Sequence, residues 1–177
     1  MTTNRPLVQR GVLIGSIALV VLAAAFAAVF GIWWASASGE DADVRRAREE
    51  VSTTGAAAVA TLTSLDFNNV DATYQRFLDV STGAVHDDYA KNQDAFKKRI
   101  SDAKVVTTAA VRETAVTDVN LQKKVATIMV VVDTTVKESD KPPTTKRLRI
   151  EAALDQTDNG WKVNALRQVP YSATGQQ

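Results

Sequence analysis

Residues 147–155 read RLRIEAALD, and this stretch decides the fold. Its apolar side chains recur at every second position, at Leu148, Ile150, Ala152 and Leu154. A period of two is typical of a β-strand, because successive side chains point to opposite faces of the sheet. One apolar face and one polar face indicate an antiparallel sheet that is covered on one side only.

Three further stretches with the same period surround this strand, at 105–117, 125–136 and 161–169. In the second of them, one face carries Ala126, Ile128, Val130, Val132 and Val136. In the third, the predicted inward residues are Trp161, Val163 and Ala165. Asn159-Gly160 is a strong hairpin signal, and Pro142-Pro143 lies in the connection before 147–155. We therefore predict a four-stranded antiparallel sheet.

The residues before the sheet have a helical period and predict three helices, at 40–65, 70–78 and 84–100. In the first helix, the apolar positions are Val44, Ala47, Val51, Ala58, Leu62 and Leu65. Its Ala-rich run, 56–60, indicates close approach by another element. The Asx-rich residues 65–69 predict a turn. Helices followed by strands make an α+β domain, and the sheet must curl over the helices to bury both apolar faces.

The N-terminal residues 12–34, VLIGSIALVVLAAAFAAVFGIWW, carry neither charge nor proline. A helix of this length is roughly 34 Å long, which is enough to cross a hydrocarbon layer of about 30 Å. Arg5 and Arg10 precede the stretch, whereas Glu40 and Asp41 follow it. Because basic flanks stay in the cytoplasm, we expect a single span of the plasma membrane with a cytoplasmic N-terminus and an extracytoplasmic C-terminal domain.

The predicted organisation has five parts. They are a cytoplasmic tail (1–10), a transmembrane helix (11–35), a connector (36–40), an extracytoplasmic domain (41–170) and a frayed tail (171–177). A cleaved signal peptide is the alternative, since Ala35-Ser36-Ala37 fits a small-x-small cleavage pattern. The apolar stretch is longer than the roughly 7–15 residues usual in signal peptides, which favours an uncleaved anchor.

Small residues recur within the predicted span at Gly11, Gly15, Ala23, Ala27 and Gly31. A four-residue spacing of small side chains lets two membrane helices approach closely. Gly and Ala are also common in membrane helices in general, and the two groups do not form one stripe. The five residues are candidates for packing against a partner helix, with ordinary membrane-helix composition as the alternative.

Composition limits the classes of function. The chain has 177 residues, no cysteine and a net charge of +1. About 135 residues beyond the span suffice for one domain with its own core. Balanced charge gives no reason to expect nucleic-acid binding. Without cysteine there is no thiolate metal site, and the single histidine, His86, lacks the spacing of metal ligands. We therefore predict no metal and no cofactor.

Several short motifs follow one another in a recognisable order. They are Leu65-Asp66-Phe67, Ser81-Thr82-Gly83, Asp88-Tyr89-Ala90-Lys91 and Gly160-Trp161-Lys162-Val163. Together with the single span and the Arg/Glu-rich start of the first helix, they make the chain resemble the Mce-associated membrane proteins of actinobacterial lipid-import systems. The resemblance implies a nuclear transport factor 2-like fold, here three helices packed on a curved four-stranded antiparallel sheet. It also implies a non-enzymatic role beside a lipid transporter of the cell envelope.

An enzyme is one alternative, because this fold also hosts ketosteroid-isomerase-like catalysts. Such a site needs a carboxylate base and an oxyanion donor within an apolar cone. His86, Asp87 and Asp88 are consecutive, and helix positions fan out by about 100° each, so they cannot share one pocket. Asp133 is predicted to lie on the strand face opposite Val130 and Val132. We therefore predict no catalytic residue.

Aromatic side chains are the candidates for lining a space between helices and sheet: Tyr74, Phe77, Tyr89, Phe96 and Trp161. Aromatic residues dominate protein cores, so one interpretation is that they fill this space. The other interpretation is a groove for a lipid or for a segment of a partner protein.

The predicted function is that of an accessory or scaffolding subunit of an Mce-type lipid importer, with Mce or permease subunits as partners. Anchoring raises the effective concentration of the domain toward other membrane proteins. A structural component of a type IV secretion-like apparatus is the alternative, because such subunits pair an N-terminal span with a nuclear transport factor 2-like outer domain. The neighbouring genes distinguish the two.

Overall fold

The computed structural model describes residues 26–30, 42–138 and 141–170. Of the predicted transmembrane helix, only 26–30 are described, and they are helical and exposed. Within the described ranges, no helix has both the length and the apolar character needed to cross a bilayer. The rest of the predicted span, the cytoplasmic tail, the connector and the C-terminal tail from 171 onward lie outside the described residues.

The chain divides into two compact units, Met1–Asp43 and Val44–Gln177. In its described residues, the second unit contains a sheet of five antiparallel strands in sequence order. The strands are β1 (Leu65–Asp66), β2 (Val105–Asn120), β3 (Val125–Glu138), β4 (Thr144–Thr157) and β5 (Gly160–Gln168). The α+β class and the four long strands are thus confirmed.

The fifth strand, β1, corrects the prediction of a turn at 65–69. Leu65 pairs with Thr107, and Asp66 pairs with Val106 on the edge of β2. The turn itself begins one residue later, where Asp66 Oδ1 accepts a hydrogen bond from the backbone N–H of Asn68 at 2.9 Å. The Asx turn is therefore present, but Leu65 and Asp66 at its start are extended.

Within 42–138 and 141–170, the α-helices are α1 (42–62), α2 (Val70–Val80), α3 (Gly83–Lys91) and α4 (Gln93–Ala103). The single helix predicted at 84–100 is wrong, because the chain breaks at Asn92 into α3 and α4. The Asn92 side-chain amide donates to the Asp88 carboxylate at 2.8 Å and to the Asp88 carbonyl at 3.1 Å. Such local bonds compete with helix continuation.

The main core lies between α1 and the inner face of the sheet, as the apolar spacing of both predicts. Its buried members are Val51, Ala58, Val59, Ala126, Ile128, Val130, Val132, Ile150, Ala152, Leu154, Trp161 and Val163. At Gly55 the helix backbone approaches the sheet so closely that an added Cβ would lie 2.6 Å from the Ile128 Cδ1 atom. The close approach thus occurs one residue before the predicted Ala-rich run, and Ala58 within the run is buried in the same core.

In β5, the prediction that Ala165 faces inward is wrong. Val163 pairs with Leu154 and Ala165 pairs with Ala153, so Asn164 is an extra residue in a β-bulge. One extra residue exchanges the two faces of the strand beyond it. Ala165 is consequently exposed, and Leu166 packs against the core instead.

Candidate functional site

Four of the five aromatic candidates form one cluster among α2, α3 and α4: Tyr74, Phe77, Tyr89 and Phe96. Ring centroids lie 4.8 Å apart for Tyr89 and Phe96, and 6.1 Å apart for Tyr74 and Phe96. Tyr74 and Phe77 are buried, and the Tyr74 hydroxyl donates to the Tyr89 carbonyl at 3.3 Å. The three shorter helices therefore hold together through their own aromatic packing.

Trp161 is separate from this aromatic cluster and belongs to the main core, where it is 2% exposed. Its buried indole Nε1 has no hydrogen-bond partner among the described residues. An unsatisfied buried donor costs about 1–3 kcal/mol. The large apolar area of the ring offsets that cost. The five residues predicted to share one space thus occupy two places.

An open groove of about 400 Å³ lies between α3 and β5. Its lining residues are Ala84, Val85, Asp88, Tyr89, Asn164, Ala165 and Leu166. Tyr89 is the aromatic candidate in this lining. Burial raises the pKa of the Tyr89 phenol, and the neighbouring Asp88 carboxylate raises it further. The phenol therefore stays neutral at physiological pH.

The groove forms because the α2–α3 connection is attached to the edge of β5. Thr82 N–H donates to the Val163 carbonyl at 2.8 Å, and Ser81 forms a parallel bridge with Val163. Gly83 then starts α3 with a φ of +55°, a conformation that glycine adopts without strain. On the other wall, the Asn164 amide donates to the Asp155 carboxylate at 2.6 Å and fixes the bulge.

The cluster considered for acid–base chemistry does not converge on a pocket. His86 Nδ1 lies 3.9 Å from Asp87 Oδ1, and the two side chains are 43% and 64% exposed. Asp87 also lies 3.8 Å from Lys91 Nζ, whereas Asp88 accepts from Asn92. Each carboxylate therefore has its own partner on the helix surface.

Asp133 lies on the outer face of the sheet, as predicted from the strand period. Its carboxylate accepts from Arg147 Nε at 2.7 Å and from Arg112 Nε at 2.7 Å. The hydrogen bonds from Arg147 and then from Arg112 hold the pKa of Asp133 well below its usual range. A carboxylate held ionised in this way is a poor general base.

A further charged pair on the outer face joins β4 and β5. Arg167 donates to both oxygens of Glu151, at 2.7 and 2.8 Å. Partly exposed Met129 and Val131 lie on the same face. This face therefore combines ion pairs with partly exposed apolar area.

Most of the predicted helix-packing positions lie outside the described residues. Ala27 is helical and exposed, whereas Gly11, Gly15, Ala23 and Gly31 lie outside the described residues. Across 26–30, 42–138 and 141–170, no three His, Asp or Glu side chains come together as metal ligands would. Asn164 and Leu166, which line the groove, were missed in the sequence because a bulge leaves no local signal.

Solved structures share the fold of this chain. An IcmL-like type IV secretion system protein from Legionella pneumophila is 14% identical, with a TM-score of 0.56 over 73% of this chain and 97% of that one. The periplasmic domain of DotI is 14% identical, with a TM-score of 0.54 over 68% of this chain and 93% of that one. At such identities the similarity concerns the fold alone.

A relative from Mycobacterium tuberculosis (strain ATCC 25618 / H37Rv) is described as "Uncharacterized protein Rv1363c". It is 30% identical over 159 residues, which are 86% of this chain and 58% of the relative. The chain thus spans little more than half of the relative's length. The family described as "Uncharacterized protein Rv1363c/MT1408-like" matches residues 12–170. The chain therefore belongs to the Rv1363c/MT1408-like family.

Proposed function

We propose that this protein is a non-enzymatic accessory or scaffolding subunit of a multi-subunit assembly in the cell envelope, and that the assembly is an Mce-type lipid importer. Residues 11–35 anchor it in the plasma membrane with the N-terminus in the cytoplasm. The domain of 41–170 then lies outside, where it binds Mce or permease subunits.

The observation that carries the proposal is that the charged side chains named below lie outside the apolar core. The core between α1 and the sheet is apolar, and Asp88, Asp133 and Glu151 all have partners at the surface. A ketosteroid-isomerase-like catalyst instead needs a carboxylate base within an apolar cavity. The exposed surfaces of the domain and the groove between α3 and β5 are the features on which the proposal relies.

Two observations support an envelope assembly. The M. tuberculosis relative belongs to an actinobacterium, which agrees with the resemblance to Mce-associated proteins. The DotI structure is that of a periplasmic domain, which supports an extracytoplasmic location for the same fold here. The IcmL-like protein favours a second candidate, a structural component of a type IV secretion-like apparatus.

Affinity purification distinguishes the candidates. The full chain with a C-terminal tag is extracted from its native host in mild detergent, and co-purifying proteins are quantified by mass spectrometry. A single-pass membrane protein of unrelated sequence with the same tag is the control. We expect Mce or permease subunits to be enriched at least tenfold over the control. Enrichment of conjugation subunits instead establishes the second candidate, and enrichment of neither contradicts both.

Topology is tested by cysteine labelling, since the chain has no natural cysteine. Asn159→Cys places a thiol on the exposed β4–β5 turn, and Thr3→Cys places one in the N-terminal tail. We expect a membrane-impermeant maleimide to label the first variant in intact cells and the second only after lysis. The reverse pattern contradicts the proposed orientation.

A further inference from the structure

β5 is the last strand of the sheet, and part of its outer edge is open. Near Val163 the edge is covered, because Thr82 donates to the Val163 carbonyl. Beyond the bulge at Asn164, no strand lies along the edge in the described part of the chain. The open segment is 166–168.

The register shows which backbone groups of β5 point away from β4. Val169 N–H donates to the Arg149 carbonyl at 2.8 Å, and Arg167 stands opposite Glu151. In an antiparallel ladder, every second residue directs its N–H and C=O to the same neighbour. Arg167 and Val169 therefore bond to β4, whereas Leu166 and Gln168 direct their N–H and C=O groups outward.

The groove between α3 and β5 adjoins these outward groups. Val85 and Tyr89 supply apolar surface on α3, and Leu166 supplies it on β5. Asp88 provides the negative charge of the lining. The site therefore combines the outward donors and acceptors of β5 with an adjoining groove that carries apolar surface and one carboxylate.

We propose that an extended segment of a partner protein binds here by adding a strand to β5. Its backbone pairs with Leu166 and Gln168, as in other cases of strand addition. An apolar side chain enters the slot between Val85 and Leu166, and a Lys or Arg side chain reaches Asp88. The inference rests on the proposed function in one respect, because it takes the partner to be another envelope subunit.

The dimensions favour a peptide segment over a second copy of the chain. The open edge of three residues is about 10 Å long at roughly 3.4 Å per residue. Two short edges paired to each other would bury far less than the ~800 Å² per partner of a stable interface. An extended segment also contacts α3 and thereby uses the groove as well as the edge.

The opposite edge of the sheet is less suitable. Beyond its two pairs with β1, β2 has register shifts at Arg112 and Thr117. Bulges disturb the regular spacing of edge donors and acceptors, and they are a known protection against strand addition. The edge at 166–168 lies after the bulge of β5 and keeps a regular register with β4.

Binding of a synthetic peptide to the full chain in detergent micelles tests the proposal. The probe is the acetylated, fluorescently labelled heptapeptide Thr-Val-Lys-Val-Thr-Val-Thr, which has strand propensity and one positive charge. We expect saturable binding by fluorescence anisotropy. Amide hydrogen exchange, measured by NMR with bound peptide, should slow at Leu166 and Gln168 and stay unchanged at the edge of β2.

Gln168→Pro removes one outward N–H, and edge strands tolerate proline at such positions. We expect it to weaken peptide binding at least tenfold, whereas Gln168→Ala, which keeps the N–H, stays within twofold. The same peptide with Glu in place of Lys should bind at least fivefold more weakly. Absence of saturable binding at millimolar peptide, or equal binding by the proline and alanine variants, overturns the proposal.

Deletion of 171–177 tests whether the chain's own C-terminal end occupies the edge of β5. If the peptide binds only after this deletion, the edge belongs to that segment and the proposal is wrong. The proposed function is judged separately by the affinity purification. Peptide binding without enriched envelope subunits contradicts that function alone, and unchanged enrichment with Gln168→Pro contradicts the partner site alone.

Discussion

The two faces of the sheet differ sharply although they are built from the same strands. On β3, Ile128, Val130 and Val132 are fully buried under α1, whereas their neighbours Met129 and Val131 on the outer face are partly exposed. The inner face has a covering helix, and the outer face has ion pairs around modest apolar area. The difference indicates that the inner face stabilises the fold, whereas the outer face is partly exposed within the described residues.

Replacing the adjacent residues Ile128 and Met129 by alanine should give the largest difference in the free energy of unfolding. Ile128→Ala leaves a cavity beneath α1 and should lower the free energy of unfolding by about 2–5 kcal/mol. Met129→Ala, on the outer face, should lower it by less than about 1 kcal/mol. Urea unfolding of the full chain in detergent measures both. Similar losses for the two variants would show that the outer face is also covered.

The contact at Gly55 sharpens the description of the inner face. A Cβ added there would lie 2.6 Å from Ile128 Cδ1 and 3.1 Å from Leu154 Cδ2. We expect Gly55→Val to cost about 1–3 kcal/mol through overpacking. Because Ile128→Val removes the nearest methyl group, the double variant should recover at least about 0.5 kcal/mol relative to additivity. Additive losses would mean that α1 shifts instead of pressing on Ile128.

On the outer face, the effect of Asp133 depends on pH. Its folded-state pKa is lowered by Arg147 and Arg112, so its stabilising contribution is fully present above the unfolded-state pKa of about 3.9. The contribution is lost as the pH falls from there toward the folded-state pKa. The urea midpoint of the wild type should therefore exceed that of Asp133→Asn at pH 7, and the difference should shrink below pH 4. A difference independent of pH would assign the effect to packing.

The inner face could be predicted from sequence because its signal is local. Every second side chain from Leu148 to Leu154 and from Ala126 to Val132 is apolar and faces inward, and no bulge interrupts the pairing of these two stretches. The break at Asn92 was missed because Val85, Tyr89, Phe96 and Ile100 keep a helical period across it. The helix breaks where the Asn92 backbone leaves the helical conformation, at φ −112° and ψ 28°, and where its side chain bonds to Asp88.

The groove is a non-local feature, and sequence patterns do not reveal it. Tyr89 and Leu166 are far apart in the chain and meet because Thr82 bonds to Val163. The sequence identifies Tyr89 as a candidate pocket-lining residue only through its aromatic side chain. The β5 wall depends on the bulge at Asn164, which is defined only by pairing with β4.

The bulge predicts that the smallest effect of all occurs at Ala165, close to a position where the same new side chain is costly. Val163 and Ala165 are two residues apart and were predicted to share the inner face, but Val163 is fully buried and Ala165 is exposed. Val163→Thr places a hydroxyl in the core and should cost about 1–3 kcal/mol. Ala165→Thr introduces the same residue at the surface and should change the free energy of unfolding by less than about 0.5 kcal/mol. Because the new side chain is identical, comparable losses at the two positions would show that β5 continues without a bulge, and the open edge at Leu166 and Gln168 would then be assigned to the wrong residues.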